Sequence, residues 1–287
     1  MPERGTHRAS GQPETAMKPP IGRETTLCMS LSGRPGQFGS RFHNRLYELM
    51  GLDYVYKAFT TTDLPAAIGG IRALGIRGCA VSMPFKEAVI PLLDRLEASA
   101  AAIDSVNTVV NEAGCLTGYN TDYIAIRLLL EKHEVDPLTP FLLRGSGGMA
   151  KAVVAALRDA GFPNGTVVAR NEPAGRALAD SHGYAWRAEI GEAQAPLLIN
   201  VTPLGMEGPE ADALAFPTPQ IAASTIAFDV VALPSTTPFL RAAEDVGKRL
   251  ITGHEVVVLQ ALEQFVLYTG QIPGEDQVAD AAAFART

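Results

Sequence analysis

The sequence is poor in cysteine, histidine and basic charge, and each shortage argues against a class of protein. Three cysteines in apolar or turn segments favour reduced cytoplasmic thiols over a disulfide framework. Five scattered histidines argue against a metal site. The 24 basic and 31 acidic residues give a net charge of −7, which argues against nucleic-acid or anionic-membrane partners. No apolar run reaches the ~18 residues of a membrane span. We therefore expect a cytoplasmic protein without metal.

The 287 residues, 47% of them hydrophobic, are enough for two domains of ordinary size, each with its own core. Residues 1–20 are rich in Pro, Gly, Arg and Thr and lack the apolar segment of a signal peptide. We interpret them as a disordered leader, or as the result of a start codon placed upstream of Met17.

Alternating strand and helix patterns predict an α/β fold. In the first half the strands are expected at 26–31, 54–59 and 77–83, with a hairpin formed by 105–111 and 115–119. Asp63 is expected to cap the helix that runs to residue 74, and Pro84 to begin a helix through 93. Such alternation implies a mostly parallel sheet.

The second half has the strand and helix order of a Rossmann-type domain. Strands are expected at 141–143, 165–169, 196–201 and 225–231, with helices at 123–133, 150–160 and 174–182 and a last amphipathic helix from Gly253. We therefore predict a substrate domain at 21–122, a nucleotide-binding domain at 123–252 and C-terminal helices at 253–287.

A glycine-rich turn, Gly145-Ser146-Gly147-Gly148, follows the strand 141–143 and precedes a helix. Free backbone amides and a helix N-terminus suit a pyrophosphate, so this context favours cofactor binding over an ordinary loop. Glu172 occupies the acidic position about 20 residues further on, where a carboxylate favours NAD over NADP. Arg170 and Arg176 flank it, and either could instead reach a 2′-phosphate.

Lys86 ends the run Val81-Ser82-Met83-Pro84-Phe85-Lys86, in which the predicted strand ends and a helical pattern begins. Open α/β sheets bind ligands at such strand ends. Asn107 and Asp122 also lie at ends of short strands in this half. Each alone has an ordinary explanation, as a solvated lysine, a turn residue or a helix cap. Together they predict a polar active site.

Seven short motifs in order resemble the shikimate/quinate dehydrogenase family, between about residues 33 and 270. They are His43-Asn44, Val81-Ser82-Met83-Pro84-Phe85-Lys86, Val106-Asn107-Thr108, Gly118-Tyr119-Asn120-Thr121-Asp122, Gly145-Ser146-Gly147-Gly148, Asn200-Val201-Thr202-Pro203-Leu204-Gly205-Met206, and Gln260 with Phe265 and Gly270. The resemblance implies a cleft between a substrate domain and a nucleotide domain.

It also implies a role for each matching residue. Lys86 and Asp122 would be the catalytic pair, and the substrate would be held by Ser82, Asn107, Gln260, Gln37 and Ser40. The cofactor, NADP or NAD, would be held by Gly145, Ser146, Gly147, Gly148, Met149, Asn171, Glu172, Arg176, Thr202, Pro203, Met206, Val230 and Gly253. A lysine ammonium can donate the proton that a carbonyl oxygen needs when hydride arrives. Asp122 suits Lys86 as its orienting partner.

Three motifs differ from the family pattern. Its Ser-x-Ser-Pro before His-Asn is Gln37-Phe38-Gly39-Ser40, its Asp-x-x-Tyr-x-Pro has Ala232 for tyrosine, and its Asn-Arg-Thr is Asn171-Glu172-Pro173. These changes suggest altered substrate use, since each lost hydrogen-bond partner costs ~1–3 kcal/mol.

We expect a dehydrogenase, monomeric or homodimeric, that acts on a cyclic hydroxy acid such as shikimate or quinate. The alternatives are a dehydrogenase with another substrate, such as a methylenetetrahydrofolate or amino-acid type, and a nucleotide-binding regulator with little turnover.

Overall fold

The computed structural model describes residues 17–287. The predicted leader therefore lies mostly outside the described residues, and 17–20 belong to no helix or strand. Within the described chain, no helix is both long and apolar enough to cross a membrane.

The first sheet has six strands in the order β2-β1-β3-β5-β6-β4. They are β1 (Thr26–Leu31), β2 (Tyr54–Phe59), β3 (Gly78–Val81), β4 (Arg95–Leu96), β5 (Thr108–Glu112) and β6 (Cys115–Tyr119). β1 pairs in parallel with β2 and β3, and β4 with β6, whereas β5 is antiparallel to both neighbours. The sheet is thus mostly parallel, and the predicted hairpin forms its antiparallel part.

Four helices accompany this sheet: α1 (Phe38–Leu49), α2 (Leu64–Ala73), α3 (Ala98–Ala101) and α4 (Thr121–Lys132). Asp63 caps α2 as predicted, accepting from the Ala66 amide at 3.0 Å. α4 begins at the Asn120 cap, whose side chain accepts from the Tyr123 amide at 3.0 Å. This cap places Asp122 in the first turn of α4.

The prediction of a helix from Pro84 through residue 93 is wrong. The segment forms turns and a short 3-10 helix, Ile90–Leu92. Pro91 has no amide hydrogen and cannot continue an α-helical ladder. The carbonyl of Lys86 is also used elsewhere, because it accepts from the Val106 amide at 2.9 Å. This bond ties the lysine segment to the start of β5.

The second sheet is entirely parallel, in the order β12-β11-β10-β7-β8-β9. Its strands are β7 (Phe141–Arg144), β8 (Gly165–Val168), β9 (Ala185–Arg187), β10 (Leu197–Asn200), β11 (Ile226–Asp229) and β12 (Arg249–Ile251). The helices are α5 (Gly148–Asp159), α6 (Glu172–His182), α7 (Thr218–Ala223) and α8 (Pro238–Glu244). This is the strand order of a doubly wound dinucleotide-binding fold, so the Rossmann-type prediction is confirmed.

Two helices complete the chain, α9 (Gly253–Thr269) and α10 (Glu275–Arg286). α9 packs against α4 and α1, and α10 packs against α1. Ala261, Phe265 and Tyr268 of α9 share a buried cluster with Phe42 and Tyr47 of α1. The last helices therefore return to the first sheet, although the exact domain boundaries stay a prediction.

Candidate active site

A cavity of about 310 Å³, here called the lysine cavity, lies where strand ends of the first sheet face the second half of the chain. Ser82, Lys86, Asn107 and Asp122 line it from the first half. Met149 and Val230 line it from the nucleotide-type half, and Gln260 and Gln264 from α9. The cavity is thus enclosed by elements far apart in sequence.

Lys86 and Asp122 form an ion pair in this cavity. The Lys86 Nζ lies 2.6 Å from the Asp122 Oδ2, and the two side chains are 26% and 9% exposed. A charge-assisted bond of this length fixes the ammonium in one place. Its remaining N–H groups can then point to a ligand in the cavity.

Asn107 is 2% exposed, and its side-chain oxygen already accepts three hydrogen bonds within the protein. The Oδ1 accepts from the Thr121 amide at 2.8 Å, the Thr121 hydroxyl at 3.2 Å and the Thr108 hydroxyl at 2.8 Å. These donors define which end of the amide is oxygen. The Nδ2 is buried and has no protein partner among the described residues. Asn107 therefore offers a hydrogen-bond donor to whatever occupies the lysine cavity.

Gln264 connects this network to α9. Its Nε2 donates to the Thr108 Oγ1 at 3.1 Å and lies 3.4 Å from the Gln260 Oε1. Gln264 was absent from the predicted site. Its spacing of one helical turn from Gln260 is the signal that could have identified it.

Gln37 and Ser40 do not line the lysine cavity, whereas Gly36, Phe38 and Gly39 do. Gln37 is exposed just before α1, and the backbone carbonyl of Ser40 accepts from the Asn44 side chain at 2.8 Å. The assignment of Gln37 and Ser40 to the substrate stays a prediction.

Arg34 also lines the cavity and was not among the predicted site residues. No carboxylate lies within 4.0 Å of its guanidinium in the part of the chain that the structure describes. A cation without an acidic partner, beside polar groups in a cavity, can bind an anionic ligand.

The signature His43-Asn44 is structural here. His43 is fully buried and stacks on Tyr56 with ring centroids 4.4 Å apart. Burial lowers the pKa of His43 to about 3, so the imidazole is neutral at physiological pH. Asn44 ties α1 to β2 through both backbone groups of Tyr56, at 2.8 and 3.0 Å. These residues position α1 beside the cavity.

A second cavity of about 680 Å³, here called the glycine-turn cavity, lies at the strand ends of the second sheet. It is lined by the predicted residues Gly145, Ser146, Gly147, Asn171, Thr202 and Pro203. Gly145 has φ +127°, and a Cβ there would lie 2.8 Å from the Val201 side chain. The turn therefore requires glycine at this position, where the Gly145 amide donates to the Val168 carbonyl at 2.9 Å. Among the described residues, the amides of Ser146 and Gly147 have no backbone partner and can reach a ligand.

Other predicted cofactor residues lie outside this cavity. Gly148 begins α5, directly after the turn. At the start of α9, a Cβ on Gly253 would lie 2.3 Å from the Val231 carbonyl, which explains the glycine by packing. Met206 is 46% exposed and lines neither cavity. Met149 and Val230 line the lysine cavity, where a nicotinamide would meet a substrate.

Glu172 and Arg176 are exposed on α6 and pair with each other at 2.8 Å. Arg176 also lies over the Trp186 ring at 4.1 Å. Neither lines the glycine-turn cavity, but Arg144 and Arg170 do. Sequence reasoning named Arg170 as a neighbour of Glu172 that could reach a 2′-phosphate, and it missed Arg144, which immediately precedes the glycine turn.

Asp229 supports the loop that closes one side of the glycine-turn cavity. It accepts from Asn200 Nδ2 at 2.9 Å and Thr237 Oγ1 at 2.7 Å, and Asn200 Oδ1 accepts from Thr202 Oγ1 at 2.6 Å. Burial raises the pKa of Asp229 to about 6. This buried network holds Thr202 and Pro203 against the cavity.

A doubly wound nucleotide fold with a lysine–aspartate pair at its junction with a second sheet defines a dinucleotide-dependent oxidoreductase. A family model described as the shikimate dehydrogenase substrate binding domain matches residues 38–109. A shikimate dehydrogenase-like protein from Haemophilus influenzae is 54% identical over 93% of this chain and 99% of its own.

Two solved structures extend the comparison. Shikimate 5-dehydrogenase from Thermus thermophilus in complex with NADP(H) and shikimate has a TM-score of 0.82 at 30% identity, over 91% of this chain and 99% of that one. Quinate dehydrogenase from Corynebacterium glutamicum in complex with NAD has a TM-score of 0.83 at 27% identity, over 91% and 98%.

The chain belongs to the shikimate/quinate dehydrogenase family of NAD(P)-dependent oxidoreductases acting on CH–OH groups. The predictions of family, fold class and enzyme class are confirmed.

Proposed function

We propose that this protein transfers hydride between a nicotinamide dinucleotide and a cyclic hydroxy acid of the shikimate or quinate type. The observation that carries the proposal is the ion pair of Lys86 and Asp122, with 2.6 Å between Nζ and Oδ2. The pair lies in a cavity that the nucleotide-type half also lines, through Met149 and Val230. The proton-transfer group and the expected position of the nicotinamide thus share one space.

The residues fit a dinucleotide. Gly145 is excluded from carrying a side chain by the 2.8 Å approach to Val201, and the turn's amides precede the N-terminus of α5. Such a turn accommodates a pyrophosphate. When bound, the nicotinamide supplies hydride exchange. Gly145, Ser146 and Gly147 would hold the pyrophosphate, with Thr202 and Pro203 beside them.

Lys86 would handle the proton. In the reducing direction its ammonium donates a proton to the substrate's carbonyl oxygen, and in the oxidising direction the neutral amine accepts the hydroxyl proton. Asp122 holds the Lys86 Nζ in position through the 2.6 Å contact. We therefore assign Lys86 as acid and base and Asp122 as its orienting partner.

The substrate would be held from three sides. Asn107 offers its free Nδ2 to a ring oxygen, and Ser82 and Gln260 line the same cavity. Arg34 is the cation available for the substrate carboxylate, in a chain where Gly39 replaces a family serine. A guanidinium binds a carboxylate through two parallel, charge-assisted hydrogen bonds, whereas serine hydroxyls donate only neutral ones.

Turnover measurements with shikimate and quinate, each with NADP and NAD, test the proposal. We expect Lys86→Ala to lower kcat by about 100- to 10,000-fold. Lys248→Ala is the matched control, because the Lys248 Nζ donates a surface hydrogen bond to the Ala222 carbonyl at 2.7 Å and lines neither cavity. Absence of turnover with both acids, in a protein that binds nucleotide, would exclude these substrates.

One observation favours a second candidate, a nucleotide-binding regulator. The family's substrate-binding serines are replaced at Gln37 and Gly39, while the glycine-turn cavity is retained. A regulator would keep its biological effect in the Lys86→Ala variant, whereas an enzyme would lose it with its rate. Cytoplasmic location and a monomeric or homodimeric state remain predictions.

A further inference from the structure

Tyr56 of β2 lines the lysine cavity, although it was not among the predicted site residues. It is 3% exposed, and its ring packs in a fixed orientation. The His43 ring stacks on the Tyr56 ring with 4.4 Å between centroids, and Asn44 bonds to both backbone groups of Tyr56. The position of the Tyr56 hydroxyl is therefore set by its neighbours before any ligand binds.

The hydroxyl of Tyr56 lies at the wall of the lysine cavity, against Gly39. A Cβ on Gly39 would lie 3.5 Å from the Tyr56 Oη, and Gly39 and Ser30 line the cavity together with Tyr56. Within the described chain, Tyr56 makes hydrogen bonds only through its backbone. Burial raises the pKa of Tyr56, although the nearby Ser30 side chain lowers it, so the phenol keeps its proton at physiological pH. This proton is available to a ligand in the cavity.

Two neighbouring tyrosines lack this access to the cavity. Tyr47 and Tyr268 belong to the same buried cluster as Tyr56, but neither lines the lysine cavity. Their hydroxyls are enclosed and have no partner among residues 17–287, whereas the Tyr56 hydroxyl is not enclosed in this way. Tyr56 is therefore the member of this cluster that can donate to a bound ligand.

Gly39 stands where the family pattern Ser-x-Ser-Pro has its second serine. A serine there would carry its hydroxyl one bond from the Cβ position. The Tyr56 Oη, at 3.5 Å, is the atom of another element that lies nearest to this position. The phenol thus offers a hydroxyl beside the place where glycine has removed one.

We propose that the Tyr56 hydroxyl donates to the carboxylate of the substrate in place of the lost serine at position 39, beside the guanidinium of Arg34. The inference deepens the proposed function and rests on its assignment of the lysine cavity to a hydroxy acid. Arg34 lines the same cavity from the segment that precedes Gly39. Hydrogen bonds to a carboxylate are charge-assisted and therefore stronger than neutral ones. Tyr56 is thus a residue that determines specificity for an acid.

Steady-state kinetics with shikimate and quinate, and NMR titrations with shikimate and methyl shikimate, test this inference. We expect Tyr56→Phe to raise KM for the acids and Kd for shikimate about 10- to 100-fold, with kcat and nucleotide affinity changed less than about threefold. The ester carries no charge, so its affinity should fall by a smaller factor than that of shikimate. Gly39→Ser added to Tyr56→Phe should recover most of the lost affinity, because a serine hydroxyl then lies near the place of the phenol oxygen.

Tyr47→Phe is the matched control, because it removes an enclosed hydroxyl that does not line the cavity, and it should leave KM unchanged. Tyr56→Phe keeps the ring that stacks on His43, so its fold should be retained. A Tyr56→Phe enzyme with wild-type KM and Kd would overturn the inference and leave the proposed function standing. Weaker binding of shikimate to this variant, in a protein without turnover on either acid, would uphold the inference while the proposed reaction fails. A wild-type protein that binds neither acid would overturn both.

Discussion

Replacing Asn107 by aspartate tests the substrate site at one atom. The side chain keeps its shape and the Oδ1 that accepts from Thr121 and Thr108, but the free Nδ2 donor becomes an oxygen. Because the Nδ2 has no protein partner among the described residues, the folded protein loses no internal hydrogen bond. The lost donor should therefore weaken substrate binding, and the buried carboxylate should in addition lower stability.

The expected loss follows from the chemistry of that contact. A hydrogen bond to a ligand oxygen contributes about 1–1.5 kcal/mol, and an unmatched acceptor in its place costs about 1–3 kcal/mol. A second carboxylate near Asp122 and an acidic substrate adds repulsion of the same sign. We expect kcat/KM for the hydroxy acid to fall by at least about 30-fold, roughly 2 kcal/mol.

Steady-state kinetics with Asn111→Asp as the matched control separate the substrate effect from a folding effect. Asn111 lies on β5, near Asn107, but its Nδ2 donates to the Ile71 carbonyl at 3.0 Å. The Asn111→Asp variant should lower the melting temperature and leave KM unchanged, whereas Asn107→Asp should raise KM. An Asn107→Asp enzyme with wild-type kcat/KM would refute the assignment of the free Nδ2 to the substrate.

Two further predictions concern charge. Arg34→Gln should raise KM for the hydroxy acid about tenfold or more without altering nucleotide affinity, and an unchanged KM would remove Arg34 from the site. The pKa of Asp229 is raised to about 6 from 3.8, so its contribution to stability is present below 3.8 and is lost as pH rises through about 6. Asp229→Asn should therefore gain stability relative to wild type between pH 4.5 and pH 8, by about 2 kcal/mol. Melting curves at the two pH values test this, and a pH-independent difference would contradict it.

The sequence was sufficient to predict the longer strands, but it failed to predict the shortest ones. β1, β2 and β6 have the predicted limits because their apolar residues alternate or run together between turn residues. β4, β9 and β12 have two or three residues each and were missed, since so short a segment has no readable period. Alanine-rich α10 gave little contrast between its faces and was predicted only as part of the C-terminal helices at 253–287, without bounds of its own.

The site was predicted where its residues belong to one local segment. Lys86, Asn107 and Asp122 lie at neighbouring strand ends, so a topological argument brings them together. Arg34 and Arg144 line their cavities only because of neighbours far along the chain, and the spacing within their own segments carries no sign of this. Gln264 differs, because it lies one helical turn from Gln260. Glu172 is the opposite case, because its spacing suits a ribose contact while in the structure it is exposed, pairs with Arg176 and does not line the glycine-turn cavity; its assignment stays a prediction.

In the proposed function, proton transfer and acid recognition come from different parts of the chain. The Lys86–Asp122 pair and the donors to Asn107 from Thr121 and Thr108 all lie within residues 86–122. The groups available to the carboxylate come from Arg34 and from α9, through Gln260 and Gln264. A change in residues 34–40 can thus alter which acid binds while the ion pair of 2.6 Å stays intact. Retention of the reaction is compatible with a different acid from those of the relatives, and the kinetics of Arg34→Gln and Asn107→Asp distinguish recognition of the carboxylate from recognition of the ring oxygen.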